Sequence, residues 1–198
     1  MSFNNFIGKF IVIEGRDGIG KTTLVKNLET FLTSFDIPVS VISFPDRNLE
    51  SGKLINDYLQ KRRRVKFPPI LHMLFSVNRI ECAVENINIK SNVCIIADRY
   101  TLSGYIYSMI SAGKDFTESL RNCEKFTGIR EPDITIILDD PTDQIRMGGP
   151  ELYESIDMQT KVSEMFRKSP GCVIDVSGMD ENNVLDAVIL KIKQKFNI

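Results

Sequence analysis

The sequence has little of several residue types that mark specialised classes of protein. Among its 198 residues it contains no tryptophan, one histidine and four cysteines. The cysteines, at positions 82, 94, 123 and 172, show no paired spacing, which argues against a zinc site or a disulfide framework. Reduced, mostly structural thiols are the simpler interpretation.

The chain also lacks a large excess of charge of either sign, since the formal net charge is -1. This balance provides no overall attraction to nucleic acid or to an anionic membrane, so neither is predicted as a partner. The basic run at 61–64, with Lys66 nearby, is interpreted as a solvated loop. Any recognition of phosphate groups must therefore be local.

Long apolar runs are absent as well. No segment reaches membrane-spanning length, and residues 1–5 lack the basic and apolar regions of a secretory signal. We therefore expect an intracellular protein, most simply in the cytoplasm. With 42% hydrophobic and 26% charged residues, residues 1–198 are predicted to form a single domain.

Apolar, β-branched runs alternate with stretches of helical periodicity along the chain. Strands are predicted at 10–14, 39–43, 93–97, 134–138 and 172–176, mostly as apolar runs suited to burial on both faces. Helices are predicted at 21–34, at 51–60, from Pro68 through Val84, and at 182–196. This alternation is typical of parallel strands joined by crossover helices, so we expect a three-layer α/β fold with a five-stranded parallel sheet.

Residues 15–22, Gly-Arg-Asp-Gly-Ile-Gly-Lys-Thr, match the phosphate-binding pattern G-x-x-x-x-G-K-[ST] between a predicted strand and a predicted helix. Glycines let backbone N–H groups approach phosphate oxygens closely, and the helix N-terminus adds partial positive charge. Lys21 is expected to reach the β- and γ-phosphates, and the Thr22 hydroxyl to ligate Mg²⁺. The predicted ATP-binding residues here are Gly15, Asp17, Gly18, Ile19, Gly20, Lys21, Thr22 and Thr23. The fold is thus predicted to be that of P-loop NTPases.

A P-loop leaves three classes of function open: a small-molecule kinase, a GTPase switch and an ATP-driven machine. The Asn-Lys-x-Asp motif of GTPases is absent, and the D-x-x-G sequence at 175–178 lies too late for a switch segment. A mechanical ATPase usually needs a larger domain. A kinase is therefore favoured.

Two arginines follow predicted strands on the side where an acceptor would bind. Arg47 comes after the second strand and Arg99 after the third, so both are expected at the carboxyl edge of the sheet. Their guanidinium groups could hold one acceptor phosphate between them.

At this point the chain resembles the thymidylate kinase family, most closely its eukaryotic and poxviral members. The resemblance lies in Phe-Pro-Asp-Arg at 44–47, His-Met-Leu-Phe-Ser-Val-Asn-Arg at 72–79, Asp-Arg-Tyr-Thr-Leu-Ser-Gly at 98–104 and Leu-Tyr-Glu at 152–154. It spans nearly the full length. It implies transfer of the ATP γ-phosphoryl group to dTMP, giving dTDP and ADP for dTTP synthesis, and a homodimer.

The resemblance also implies roles for individual residues. Phe75 would stack on thymine, Arg79 would hydrogen-bond the base edge, and Tyr107 would exclude a ribose 2′-hydroxyl. Asp98 would either orient Mg²⁺ together with Thr22 or steer the acceptor phosphate; capping of the following helix is a structural alternative. The implied dTMP-binding residues are Asp17, Phe44, Arg47, Phe75, Arg79, Arg99, Ser103, Gly104, Tyr107, Tyr153 and Gln159.

The chain departs from the family pattern in its catalytic arginine. Some members carry this arginine within the P-loop, where this chain has Gly18. Arg16 lies on the other side of Asp17, and its side chain is expected to contact solvent. The short lid at about 146–153 has Arg146 as its one arginine, which would either stack on adenine or stabilise charge at the γ-phosphate.

The predicted catalytic residues are therefore Lys21, Asp98, Arg99 and Arg146. His72 is interpreted as a packed helix residue, because an ionised phosphate acceptor needs no base. Two alternatives remain: another nucleoside monophosphate kinase, acting on dUMP or UMP, and a P-loop protein that binds nucleotide as a switch.

Overall fold

The computed structural model describes residues 3–64, 66–88, 92–142 and 151–197. Its sheet has five strands in the order β2-β3-β1-β4-β5, and every neighbouring pair is parallel. The strands are β1 Phe10–Glu14, β2 Val39–Ser43, β3 Cys94–Asp98, β4 Ile134–Asp139 and β5 Cys172–Asp175. The predicted five-stranded parallel sheet is confirmed, with strand ends displaced by at most one residue.

Helices cover both faces of the sheet. They are α1 Lys21–Thr33, α2 Glu50–Leu59, α3 Pro68–Cys82, α4 Thr101–Ala112, α5 Lys114–Phe126, α6 Ile156–Arg167 and α7 Glu181–Phe196. A short 3-10 turn precedes β1 at Phe3–Phe6, and a π-helical turn at Ala83–Ile87 follows α3. The four predicted helices are present, and α4, α5 and α6 lie between them in regions for which the sequence set no bounds.

The central strand β1 separates two hydrophobic layers because its side chains alternate between the faces of the sheet. Ile11 and Ile13 pack with residues of α1 and α7 on one face. Phe10 and Val12 pack on the other face, in a cluster that includes Tyr100. The predicted burial on both faces is confirmed for β1. Strands β2 and β5 are partly exposed because they form the edges of the sheet.

Parallel pairing brings the carboxyl ends of all five strands to one edge of the sheet. The P-loop follows β1 there, Arg99 follows β3, and the segment containing Arg47 follows β2. Side chains that the sequence predicts to be functional, from distant parts of the chain, thus lie at the same edge.

Two further predictions concern the cysteines and membrane-spanning segments. Cys82 and Cys94 are buried and Cys172 is half-buried, while Cys123 is exposed on α5. None of the helices within the described ranges is long and apolar enough to cross a bilayer. The cytoplasmic location stays a prediction.

Candidate active site

The P-loop connects β1 to α1 through backbone conformations that favour glycine. Gly15 has φ +143°, and a Cβ atom there would lie 2.7 Å from the carbonyl oxygen of Leu138. Gly20 has φ +97° and caps the N-terminus of α1. Between them Gly18 is exposed, and Ile19 is half-buried against the core. The loop thereby directs the N-terminus of α1, with its partial positive charge, toward the carboxyl edge of the sheet.

Lys21 is buried at the first turn of α1. Its Nζ donates a hydrogen bond to the carbonyl oxygen of Arg16 at 2.7 Å. Burial, followed by the positive charge of Arg99, lowers the pKa of Lys21 to about 7. Negative phosphate oxygens would favour its charged form, so the residue is suited to respond to a bound triphosphate.

Two oxygen donors meet beside the loop where a metal ion would be required. The Thr22 hydroxyl donates to Oδ2 of Asp98 at 2.7 Å, joining α1 to the end of β3. Both residues line an open cavity of about 450 Å³ together with Lys21 and Thr23. Hydroxyl and carboxylate oxygens are donors that Mg²⁺ prefers, so this pair fits such an ion.

Asp17 is the point at which the P-loop meets α4 and α6. Its carboxylate accepts hydrogen bonds from Nη2 of Arg99 at 2.5 Å, the Tyr107 hydroxyl at 3.1 Å and Nε2 of Gln159 at 2.8 Å. Its backbone N–H donates to Oε1 of Gln159 at 2.8 Å. Burial would raise the pKa of Asp17, but the charges of Arg99 and Lys21 lower it overall. The carboxylate is therefore ionised and links three elements.

Arg99 lies between the P-loop and the acceptor side. Its backbone has φ +68°, in the left-handed region that residues other than glycine rarely adopt. Nη1 donates to the carbonyl oxygen of Gly15 and to Oγ of Ser103, both at 3.0 Å. Burial alone would lower the pKa of Arg99, but Tyr107, Asp17 and Glu14 raise it overall. The guanidinium is thus a fixed positive charge beside the loop.

Sequence reasoning missed Glu14, the last residue of β1. It is fully buried, and Oε1 accepts from the backbone N–H groups of Tyr100 at 2.9 Å and Ser103 at 3.0 Å. Its Oε2 accepts from the Ser103 hydroxyl at 2.5 Å. Burial raises the pKa of Glu14, against the effect of these hydrogen bonds and of Arg99. A charged residue within an otherwise apolar central strand was the available signal.

An aromatic cavity of about 170 Å³ adjoins Arg99 on the acceptor side. Arg79 is buried in it, where Nε donates to Oε1 of Glu124 at 3.0 Å and Nη2 pairs with the same oxygen. A Cβ atom at Gly104 would lie 2.5 Å from Nη2 of Arg79, so a larger residue at this position would displace the guanidinium from where it lies. Of the predicted acceptor residues, those that line this cavity are Asp17, Phe44, Arg47, Phe75, Arg79, Arg99, Ser103, Gly104, Tyr107 and Tyr153.

His72 also lines this cavity, and it packs as predicted. It is 1% exposed, and its Nε2 lies 3.3 Å from the Tyr153 hydroxyl. Burial, followed by the charge of Arg79, lowers the pKa of His72 to about 4. The imidazole is therefore neutral near neutral pH. Gln159 lies behind the lining, where Nε2 also donates to the carbonyl oxygen of Tyr153 at 2.9 Å.

Arg47 is bound to partners that the sequence did not indicate. Its Nη2 lies 2.9 Å from Oε1 of Glu151, and its Nη1 donates to Oδ1 of Asn56 at 2.6 Å. Glu151 also accepts from Nε2 of Gln60 at 2.7 Å. The guanidinium therefore joins α2 to the segment before α6, and its role toward a phosphate stays a prediction.

The expected solvent contact of Arg16 is wrong. Arg16 is 3% exposed, and its Nη1 donates to the carbonyl oxygen of Asp17 at 3.1 Å, because the side chain turns back onto the loop. Arg146 and the other residues at 147–150 of the predicted lid lie outside the described residues. The basic residues 61–64 are exposed, in agreement with a solvated loop.

Comparisons with known proteins identify relatives of this chain. A protein of Invertebrate iridescent virus 6 whose name contains the words thymidylate kinase is 36% identical over 202 residues, which cover 96% of this chain and 90% of that protein. Thymidylate kinase of Schizosaccharomyces pombe is 38% identical over 167 residues, which cover 81% of this chain and 76% of that enzyme. A solved structure of thymidylate kinase from Candida albicans has a TM-score of 0.74 and 29% identity, covering 96% of this chain and 93% of that one. The family model for thymidylate kinase matches residues 13–182, and the chain therefore belongs to the thymidylate kinase family.

Proposed function

We propose that this thymidylate kinase transfers the γ-phosphoryl group of Mg²⁺-bound ATP to dTMP at the junction of two cavities, with Arg99 between them. The cavity beside the P-loop and the aromatic cavity share Asp17, Phe44, Pro45, Arg47 and Arg99. The observation that carries this proposal is the position of Arg99, which binds the Gly15 carbonyl on the donor side and Ser103 on the acceptor side. A phosphate held there would face the P-loop directly.

The donor side is assigned to the P-loop and its flanking oxygen ligands. Backbone N–H groups at 15–20 would surround the ATP phosphates, and Lys21 would neutralise the β- and γ-oxygens. Thr22 and Asp98 would hold Mg²⁺, directly or through water. When bound, Mg²⁺ supplies charge neutralisation at the transferring phosphoryl group.

The acceptor base is assigned to the aromatic cavity. Phe75 is half-buried at its wall and offers a ring face to thymine, while Arg79 offers guanidinium donors to the base edge. Glu124 accepts buried hydrogen bonds from the Ser76 hydroxyl and from Nε of Arg79. These bonds fix the orientation of the Arg79 guanidinium. A fixed donor favours one arrangement of base oxygens and so contributes to specificity.

The deoxyribose is assigned to Asp17 and Tyr107. A carboxylate has about four lone-pair positions, and three side chains already donate to Asp17. One position thus remains for a sugar hydroxyl. The ring of Tyr107 lies 5.5 Å from that of Tyr153, which narrows the cavity where a 2′-hydroxyl would project.

The transfer itself is assigned to positioning and charge stabilisation. The phosphate of dTMP is already ionised and needs no general base, which agrees with the neutral, buried His72. Arg99 and Lys21 would stabilise charge on the transferring oxygens, and Arg146 is proposed to assist from the lid. Tyr153 and Gln159 would close the acceptor side and exclude water, the competing acceptor.

The function is tested by following ADP formation with Mg-ATP and a panel of acceptors: dTMP, dUMP, UMP, dGMP and AMP. We expect dTMP to be the preferred substrate and chelation of Mg²⁺ to abolish turnover. Preference for another monophosphate, or ATP hydrolysis that no acceptor stimulates, would overturn the proposal.

Arg99→Ala tests the assignment of the two sides. Because Arg99 would hold the acceptor phosphate, the variant should lose at least about a hundredfold in turnover while its ATP affinity changes little. Lys21→Ala serves as the donor-side comparison and should weaken ATP binding. An equal loss of ATP affinity in Arg99→Ala would place this residue on the donor side.

We also propose that the chain forms a homodimer through α3. Ile70, Met73 and Val77 lie on one face of this helix and are 46%, 48% and 50% exposed. Apolar side chains spaced three and four residues apart form a continuous stripe, and a second copy related by a two-fold axis would bury both stripes against each other.

A further inference from the structure

The N-terminus of α4 is capped from a neighbouring strand. The N-cap residue Tyr100 makes no side-chain capping bond. Glu14 supplies the cap instead, because its Oε1 accepts from the backbone N–H groups of Tyr100 and Ser103. The helix that lines the acceptor cavity is therefore joined directly to the residue before the P-loop.

Capping alone does not account for a charged residue at this position. Glu14 is 0% exposed, and burying a carboxylate costs far more than burying a neutral amide, which could also accept both N–H bonds. Burial raises the pKa of Glu14 overall, and the positive charge of Arg99 opposes this rise, so the guanidinium is a partner that stabilises the ionised form. The buried carboxylate thus complements Arg99 as well as the helix terminus.

Two hydrogen bonds through the Ser103 hydroxyl link Glu14 to Arg99. The Ser103 hydroxyl donates its proton to Oε2 of Glu14 at 2.5 Å. The Ser103 oxygen then has lone pairs left to accept from Nη1 of Arg99 at 3.0 Å. A glutamine in place of Glu14 could present an N–H group to Ser103 and remove this fixed direction.

From these contacts we infer that Glu14 is a positioning residue for the acceptor phosphate. Its carboxylate holds the guanidinium of Arg99 in place through Ser103 and through the first turn of α4. The inference rests on the proposed role of Arg99 in holding that phosphate. Since Glu14 lies behind Arg99 and lines neither cavity, it acts on the substrate only through this arginine.

The test is Glu14→Gln, which keeps the size of the side chain and removes its charge. A misplaced Arg99 should raise the KM for dTMP and lower kcat, with a combined loss of about a hundredfold in kcat/KM, while the KM for ATP stays within about twofold. Thermal unfolding of the same samples separates this effect from loss of fold.

Asp133→Asn is the matched control. Asp133 accepts from the backbone N–H of Phe10 at 2.7 Å and pairs with Arg130, at the opposite end of β1 from Glu14. This variant should lower stability and leave both KM values unchanged. If Glu14→Gln behaves like Asp133→Asn, Glu14 is only structural and the inference fails.

Ser103→Ala provides a second route if Glu14→Gln does not fold. It removes the bridging hydroxyl but keeps the backbone N–H that Glu14 caps, so it should raise the KM for dTMP; unchanged dTMP kinetics would overturn the inference.

Arg99→Ala separates failure of the proposed function of Arg99 from failure of the inference about Glu14. Normal dTMP kinetics in Arg99→Ala would reject the proposed function of Arg99. If Arg99→Ala impairs the dTMP kinetics but neither Glu14→Gln nor Ser103→Ala does, the inference about Glu14 alone is rejected.

Discussion

At the residue scale, Lys21 shows how burial prepares a side chain for its ligand. Burial and the charge of Arg99 lower its pKa to about 7, so near pH 8 most molecules carry a neutral amine before ATP binds. A triphosphate bound beside Lys21 would favour the ammonium form and raise this pKa. We therefore predict that ATP binding at about pH 8 takes up close to one proton, and that ATP affinity falls as the pH rises above about 7.

Calorimetric titration of ATP in two buffers with different ionisation enthalpies measures this proton uptake. Lys53→Ala, which changes an exposed lysine on α2, should leave the uptake intact, whereas Lys21→Ala should remove it. Equal heats in the two buffers for the unmodified enzyme would show that Lys21 is already charged and contradict the prediction.

Glu151 and the acceptor phosphate would compete for the same guanidinium. Glu151 pairs with Arg47, whose side chain is 47% exposed, so the ion pair is only partly protected from solvent. We predict that Glu151→Gln frees Arg47 and lowers the KM for dTMP by about two- to fivefold, the size expected of a partly exposed ion pair.

The control is Asp57→Asn, which removes an exposed ion pair with Arg62 near the same helix. Steady-state kinetics with varied dTMP measure the KM of both variants and of the unmodified enzyme. A higher KM in Glu151→Gln would mean that this ion pair holds the acceptor site together and does not block it.

At the element scale, the close approach of α3 and α4 depends on Gly104. An added methyl group there would collide with the Arg79 guanidinium, which lies in a buried pair with Glu124. We predict that Gly104→Ala displaces Arg79 and raises the KM for dTMP about tenfold or more, with little change for ATP.

A double-mutant cycle gives the control. In an Arg79→Ala background the methyl group has room, so Gly104→Ala should then have almost no further effect on the KM for dTMP. Additive losses in kcat/KM would show that Gly104 acts independently of Arg79.

Elements with local signals were predictable from the sequence. The bounds of β1, the P-loop and the start of α1 follow from an apolar run, three glycines and helical periodicity within 25 consecutive residues. The exposure of β2 and β5 was not predictable in this way, because an edge position depends on the order of strands in the sheet and not on their composition.

The acidic partners of the site were not predictable for a related reason. Glu14, Glu124 and Glu151 act on arginines that are 85, 45 and 104 positions away in the chain. No local spacing relates such pairs, and only the folded sheet edge brings them together. The arginines were predicted because they follow strands or belong to a family motif. Glu14 carried one signal, a charge within an apolar strand, but neither that charge nor the positions of Glu124 and Glu151 indicated which arginine each would approach.

At the scale of the whole molecule, the exposed stripe on α3 predicts the state of assembly. Two acidic side chains on the stripe would face their own copies across the two-fold axis, and their burial would be strongly unfavourable. We predict that the double variant Met73→Glu, Val77→Glu sediments as a monomer while the unmodified protein sediments as a dimer.

Leu190→Glu is the matched control, since Leu190 is 55% exposed on α7, away from the stripe. It should leave the dimer intact. Sedimentation velocity at micromolar concentration makes the comparison, and an unmodified protein that sediments as a monomer would refute the proposed assembly.

The exposed thiol on α5 has a practical consequence. Cys123 lies one residue before Glu124, the partner of Arg79, whereas Cys82 and Cys94 are buried and Cys172 is half-buried. Reagents that need solvent access should therefore modify Cys123 first. A fluorophore attached there would be close in sequence to the pair of Glu124 and Arg79, which is proposed to contact the base, and a change in its emission would report acceptor binding in real time without a coupled assay.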